Sequence, residues 1–290
     1  MRTLKKNLVS IIVNCHNGEK FIARCIKSII DQTYQNFEII FCDNQSTDKT
    51  SLILNSINDI RLKYFQTKKF IKLYEARNFA IDKAEGEYIA FLDIDDTWEK
   101  NKLQSQLDYI KKNNSDICFT NYWVSKNKIK YLFKKNLKID NIQNRILNDY
   151  PIGILTVIIK SNIFFKENYF FNKNYEIIGD FDFFFRLSRK FKFSCLDKPL
   201  STYYIHNENL SIKKLDVEIN EFDKWIIENK ETLNNNKNTL IQKNNIRYCN
   251  YLYNQNKLFL NSKELKKVED YKIKLKFYTK IILKRLNLIR

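Results

Sequence analysis

The segment Phe91-Leu92-Asp93-Ile94-Asp95-Asp96 closes a short apolar run with a cluster of acids. On an extended chain successive side chains alternate, so Asp93 and Asp95 share a face. Two carboxylates side by side repel unless a positive charge lies between them, and hard oxygen ligands suit Mg²⁺ or Mn²⁺. Such an ion can bridge a diphosphate and neutralise the charge that develops on it as a leaving group. The competing use of these residues is structural. Asp96 or Thr97 can cap a helix that begins near Trp98.

The elements that must carry these acids follow from the spacing of apolar residues. Leu8–Val13 is short, continuous and β-branched, as a buried strand is. Between Glu19 and Ile30 the apolar residues Ile22, Cys25, Ile26, Ile29 and Ile30 recur at helical intervals. A second strand spans Phe37–Cys42, and the turn-rich run Asp43–Asp48 follows it. A helix through Ser51–Ile57, a strand at Leu62–Phe65, a helix around Tyr74–Ala84 and a strand at Tyr88–Leu92 complete the series. Strands alternating with helices mean βαβ units and a mainly parallel sheet. Ligands of such sheets bind beyond the carboxyl ends of the strands. Asp43 stands just past one such end, and Asp93 and Asp95 past another, so the three should converge on one sheet edge. Farther on, Ile152–Ile159 has the composition of another strand. Residues 212–290 read as helical and Lys-rich, without Gly or Pro.

The order of motifs resembles family-2 glycosyltransferases of the GT-A fold. The resemblance runs through Val9–Asn17, Ser28–Ile40, Asp43–Thr50, Ala76-Arg77-Asn78 and Gly86–Asp96, covering roughly the first hundred residues. It implies roles position by position. Asp43 would bond the base of a donor nucleotide, with Asn14–His16 lining that pocket and His16 lying against the base. Lys72 and Arg77 would be cations on the diphosphate side, although Arg77 equally suits a structural ion pair. Asp93 would approach the ribose and the water shell of the metal, and Asp95 would bind the metal.

A second island, Ile178–Leu187, is similar to the acidic motif that supplies the family's catalytic base. Its first acid is replaced by Gly179, and the base falls on Asp180, which would take a proton from the acceptor hydroxyl. The structural alternative makes Asp180 a helix cap and Asp182 a surface acid paired with Arg186. Tyr203–Ser211 resembles the family's closing Tyr-Arg-x-His…Ser segment, with Tyr204 in place of Arg. There His206 would contact metal or diphosphate, imidazole being a good Mn²⁺ ligand, or else orient a loop.

The resemblance thus implies an α/β fold: a GT-A domain, three-layer α/β/α with a mostly parallel sheet, over 1–211. A basic helical appendage follows over 212–290. The implied activity is transfer of a sugar, with inversion, from a uridine-type nucleotide-sugar to a hydroxyl of a glycan or lipid-linked acceptor, dependent on Mn²⁺ or Mg²⁺.

Composition limits the alternatives. The formal net charge of +18 favours polyanionic partners. A nucleic-acid-binding protein would account for it, but acids converging at a sheet edge repel phosphate, and no nucleic-acid partner is expected. A catalytically silent scaffold is the other alternative, prompted by Gly179. With four glycines and neither a G-x-G-x-x-G nor a P-loop motif, dinucleotide and P-loop readings fail. The six cysteines are scattered, which fits reduced thiols in a cytosol. The apolar run at the start is too short for a signal peptide or a membrane span. In the tail Tyr271–Arg290, helical spacing places Leu275, Tyr278, Ile282, Leu286 and Ile289 on one stripe, with Lys276, Lys280 and Lys284 on another face. A basic amphipathic helix can lie on an anionic membrane surface or pack on the catalytic domain. The expected location is the cytoplasm, with a peripheral place on the inner face of the membrane if the helix docks.

Overall fold

The computed structural model describes residues 2–233 and 236–285. The first strand, β1 (Lys5–Cys15), is buried without a break from Val9 onward, as expected where both faces of a sheet are covered. It is followed by α1 (Ile22–Ile30), β2 (Phe37–Asp43), α2 (Thr50–Asn55), β3 (Leu62–Gln66), α3 (Leu73–Ile81) and β4 (Gly86–Phe91). Strand β1 pairs in parallel with β2 and β4, and β2 pairs in parallel with β3. The register sets Cys15 opposite Asp43 and Ile12 opposite Phe91. The carboxyl ends of β2, β1 and β4 therefore lie side by side.

The remaining elements of this unit are β5 (Thr97–Trp98), α4 (Lys102–Asn113), β6 (Ile117–Lys126), β7 (Ile129–Leu132), α5 (Ile142–Asp149), β8 (Ile158–Lys160), α6 (Asn162–Phe165), α7 (Gly179–Ser188) and β9 (Phe193–Ile205). They extend the sheet to the order β3-β2-β1-β4-β8-β6-β9-β5, with β7 on β6. Strands β6 and β9 run parallel, whereas β8, β5 and β7 join their neighbours antiparallel.

Side-chain alternation divides the core into two layers. On one face Val9, Ile11 and Val13 of β1, Ile39 and Phe41 of β2, and Tyr88 and Ala90 of β4 meet Ile22, Cys25, Ile26 and Ile29 of α1 and Leu103, Leu107 and Ile110 of α4. The three- and four-residue intervals on each helix make one buried stripe. Helix α4 stops where Asn114 turns left-handed at φ 45°, a conformation that ends many helices. On the other face α3 covers β1 and β2, and Phe91, Phe164, Phe171 and Phe183 form an aromatic cluster, with the Phe171 and Phe183 centroids 4.1 Å apart.

Two expectations from the sequence are corrected. No helix begins at Trp98. The Trp98 ring is drawn into the core, where Nε1 donates to Leu155 O at 2.8 Å, and its backbone pairs with Ser201 as a two-residue strand. The helix starts at Lys102. Nor is Ile152–Ile159 one strand. A 3₁₀ turn over Ile154–Thr156 interrupts it, closed by Thr156 Oγ1 donating back to Gly153 O at 2.6 Å. Only Ile158–Lys160 joins the sheet.

A second compact unit begins at Asn207, a few residues before the Ser211 boundary suggested by composition. It contains α8 (Leu210–Lys213), α9 (Leu215–Glu228), α10 (Lys230–Leu233), α11 (Asn236–Asn254), α12 (Lys263–Lys266) and α13 (Tyr271–Arg285). The Asn244 amide ties α11 to α9, donating to Ile219 O at 2.9 Å and Asp223 Oδ1 at 2.7 Å. Helix α13 presents Phe277 and Ile281, each 4% exposed, to a core with Cys249, Leu258, Leu265 and Val268. Of the stripe read from the sequence, Tyr278 packs against this core, but Leu275 and Ile282 are 48% and 44% exposed. Leu286 and Ile289 lie outside the described residues. A helix that interleaves Lys with apolar residues offers two stripes, and packing selects between them. Among the described residues no helix is long and apolar enough to cross a membrane.

Candidate active site

Strand β2 delivers Asp43 to the sheet edge fully buried. Its Oδ1 accepts the Ser46 N–H at 2.8 Å and its Oδ2 accepts the Tyr64 hydroxyl at 2.7 Å. Burial pushes the Tyr64 phenol well up, and the bond to Asp43 adds to that. Beside Asp43, at the end of β1, Asn14 is buried and its Nδ2 has no hydrogen-bond partner among the described residues. The next ring along is His16. Its Nδ1 lies 2.9 Å from Asn44 O, and because a carbonyl only accepts, Nδ1 carries the hydrogen. The His16 ring meets the exposed Phe70 edge-on at 4.8 Å.

Asn44, unremarked in the sequence, holds the loop that carries Phe70. Its side chain donates to Ile71 O at 2.7 Å and accepts the Ile71 N–H at 3.0 Å. The same loop leads to Lys72, whose ammonium turns away from the acids and donates to Asn174 O at 3.3 Å. Lys72 lines a shallow groove of about 400 Å³ with Lys69, Phe70, Ile71, Glu75, Lys173 and Asn174.

Past β4 the chain turns, with Asp96 N bonded to Asp93 O at 3.0 Å, and the three acids take different tasks. Asp93 accepts from Arg77 Nη2 at 2.8 Å. Arg77 is 2% exposed. Burial opposes its charge, but Asp93, Tyr74 and Asp180 outweigh that and raise its pKa. Asp95 Oδ2 lies 2.9 Å from His206 Nε2. Burial and then the nearby Asp93 raise the Asp95 carboxyl, and the contact with His206 opposes them. Phe21 stacks on the His206 ring at 4.9 Å. Asp96 is 1% exposed, and its Oδ1 accepts the Tyr204 N–H at 3.0 Å. It pins the end of β9 instead of capping a helix at Trp98. Burial, with Asp95 and Asp93 close by, lifts its carboxyl far above the usual range. Arg24 donates to Asp95 O at 2.5 Å and lies 3.7 Å over the Tyr204 ring, which accounts for an aromatic residue in place of Arg there.

Asp180 sits in the first turn of α7. Its Oδ1 takes the Phe181 N–H at 2.9 Å and the Tyr74 hydroxyl at 3.1 Å. Burial raises its carboxyl, and Arg77 is the chief opposing charge. Oδ2 has no partner among the described residues. Asp182 is bonded to Arg186 at 2.9 Å but is 5% exposed, so it is a buried structural acid and not a surface one.

The predicted residues thus fall into three groups: Asp43 with Asn14 and His16, Asp95 with His206, and Asp93 with Arg77 and Asp180 through Arg77's field. Lys72 stands apart. Sequence reading missed Tyr64, Asn44, Arg24 and Tyr74. Only Tyr74 left a signal, lying three residues before Arg77 and so on the same helical face.

A sheet whose strand ends gather these acids, with a buried carboxyl at the start of a facing helix, is the architecture of a GT-A glycosyltransferase. The chain belongs to glycosyl transferase family 2, whose pattern its residues 10–193 match. It is 37% identical over 157 residues to the Escherichia coli UDP-Glc:alpha-D-GlcNAc-diphosphoundecaprenol beta-1,3-glucosyltransferase WfgD, covering 54% of this chain and 61% of that one. With WfaP of the same organism and the same described activity it shares 39% identity over 119 residues, 41% of this chain and 47% of that one. The match therefore spans less than two thirds of either relative. In fold the chain is similar to the crystal structure of S. aureus TarS 1-349 in complex with UDP-GlcNAc. The TM-score is 0.67 at 20% identity, over 94% of this chain and 81% of that one.

Proposed function

We infer that this chain moves a sugar from a uridine diphosphate-sugar to a hydroxyl of a lipid-linked glycan, inverting the anomeric carbon, with Asp180 as the base. The single observation that carries this reading is the buried Arg77. It bonds Asp93 at 2.8 Å and lies in the field of Asp180, so one cation couples the donor-side acid to the base. The unpartnered Oδ2 of Asp180 is an acceptor for the hydroxyl proton of the incoming glycan. The names of the two E. coli relatives support this donor and acceptor class.

In this reading the nucleotide base of the donor lies at the ends of β1 and β2, against His16 and Phe70, where Asn14 Nδ2 is a buried donor without a partner among the described residues. Asp43 is to meet the base edge, although its oxygens are engaged by Ser46 and Tyr64. Each oxygen keeps a second lone pair, so Asp43 can accept from the nucleotide base without losing Ser46 or Tyr64. Arg77 supplies positive charge toward the diphosphate, and Lys72 would join it only by leaving Asn174 O, to which it donates at 3.3 Å.

Among the described residues no group of three or more His, Cys, Asp or Glu side chains forms a metal cluster. A carboxylate oxygen and an imidazole nitrogen 2.9 Å apart are nonetheless a donor pair that a divalent cation could take. Asp95 and His206 would hold Mg²⁺ or Mn²⁺, and the ion would neutralise the departing nucleoside diphosphate. The exposed Leu275 and Ile282 on α13, with exposed Lys276 and Lys280, would face an anionic membrane that holds the acceptor.

The decisive assay pairs thermal shift with transfer. UDP-sugars are to raise the melting temperature only with Mn²⁺ present, and Asp180→Asn is to keep that shift while losing transfer to a lipid-diphosphate acceptor. No donor-dependent shift with any nucleotide-sugar would reject the reading.

A further inference from the structure

Gly179 opens α7 where the acidic motif carries its first acid, and packing gives the reason. A Cβ on Gly179 would lie 2.5 Å from Cδ2 and Cε2 of Tyr74, far inside ordinary contact. The Tyr74 ring fills the space that a side chain at 179 needs. Tyr74 is 2% exposed and stacks on Phe171 at 5.6 Å. Its hydroxyl reaches the start of α7, 2.6 Å from Ile177 O and 3.1 Å from Asp180 Oδ1.

A phenol has one hydrogen to give. Ile177 O can only accept and is the nearer oxygen, so the hydrogen rests there while Asp180 is protonated and donates to the phenol oxygen. When Asp180 ionises, the same hydrogen turns to Oδ1. The switch needs no heavy atom to move, and in the ionised arrangement Ile177 O gives up the phenol hydrogen to Oδ1. Both bonds to Asp180 land on Oδ1, since the Phe181 N–H is the other donor. Oδ2 is left for a substrate.

The charged and titratable groups around Asp180 come from separate elements. Arg77 and Tyr74 lie on α3, Asp93 follows β4, and Tyr150 follows α5 with its hydroxyl buried and without a hydrogen-bond partner among the described residues. Arg77 and the Tyr74 bond favour the ionised carboxyl, whereas burial and Asp93 oppose it.

We propose that Tyr74 replaces the missing acid as a positioning residue. It clamps Asp180 through Oδ1 so that Oδ2 meets the acceptor hydroxyl, and its hydroxyl hydrogen passes from Ile177 O to Oδ1 as the carboxyl ionises. The proposal rests on Asp180 being the base.

Tyr74→Phe keeps the ring and removes the hydroxyl. It is expected to lower kcat roughly tenfold with donor KM unchanged. Because the lost bond favoured the ionised form, the acidic limb of the kcat profile moves to higher pH by about one unit. A purely structural Tyr74 would leave that limb in place. A second pair of variants tests the packing half of the proposal. Gly179→Asp alone collides with the ring and loses activity, whereas Gly179→Asp in a Tyr74→Ala background folds and recovers part of the kcat that Tyr74→Ala loses. Unchanged kcat and pH limb in a folded Tyr74→Phe would overturn the proposal. So would a double variant no more active than Tyr74→Ala. Asp180→Asn, assayed alongside, separates the two readings: if it still transfers sugar, the assignment of the base itself is wrong.

Discussion

The two sides of the site are built in opposite ways. On the proposed donor side, Asp43 ends β2 and Asp93, Asp95 and Asp96 follow β4, the two strands that flank β1, and neighbouring main chain does much of the holding, as with Ser46 N on Asp43 and Tyr204 N on Asp96. On the base side, Asp180 is held by a side chain 106 residues away in sequence, and a glycine survives there because that side chain needs its space. Donor-side geometry is therefore a property of the sheet. Base-side geometry depends on one buried contact between α3 and α7.

The largest effect that would sharpen this contrast is at Asp180. Asp180→Asn should reduce transfer by about 10²–10⁴-fold while a donor-dependent thermal shift persists. Loss of donor binding instead would show that the two sides are not separable. Asp95→Ala should reduce transfer roughly a hundredfold or more and abolish the Mn²⁺-dependent part of the shift. Retention of that part would remove Asp95 and His206 from the metal site.

Arg77→Gln breaks the one charge shared by both sides. It should cost roughly 1–2 kcal/mol in denaturant unfolding, because Asp180 loses its chief opposing cation while Asp93, 36% exposed, is left unpaired but partly solvated. A change within experimental scatter would mean that the acids are solvated and uncoupled. Asp96 gives a smaller effect with a defined sign. Its carboxyl is raised in the folded protein, so the native state holds a proton that the unfolded chain has released. Stability should then fall as pH rises from the ordinary carboxylate range toward the folded pKa. Asn can accept the same Tyr204 N–H, so Asp96→Asn in metal-free protein should flatten that fall and raise the melting temperature at pH 8 more than at pH 4. The smallest effect is expected on α13, where Leu275→Ser should change stability by no more than about 0.5 kcal/mol. Sedimentation with anionic vesicles would show whether the exposed row matters for a membrane instead.

Much of the donor side was legible in the sequence because strand periodicity fixes where a residue past a strand end must go. Asp43, Asp93 and Asp95 were placed on one edge from apolar runs alone, and register confirms that the ends of β2, β1 and β4 are neighbours. What escaped were partners that periodicity does not encode. Tyr64 on Asp43, Arg24 over Tyr204 and Asn44 on Ile71 each join residues distant in sequence. The local composition around Trp98 permits a helix start, and the demand of its ring for the core overrides it. On α13 two apolar stripes competed, and only contact with Cys249, Leu265 and Val268 chose between them.

The sequence by itself determined the alternation of strands and helices, the edge on which the acids gather, and the family to which their order belongs, because these depend on short-range spacing and burial. Tertiary structure alone decided which acid pairs with which cation, that Asp96 holds the backbone of Tyr204 whereas Asp93 pairs with Arg77, and what occupies the space beside residue 179. Those outcomes turn on contacts between segments that are brought together only when the sheet closes over its core, where a ring and a Cβ cannot share the same few cubic ångströms.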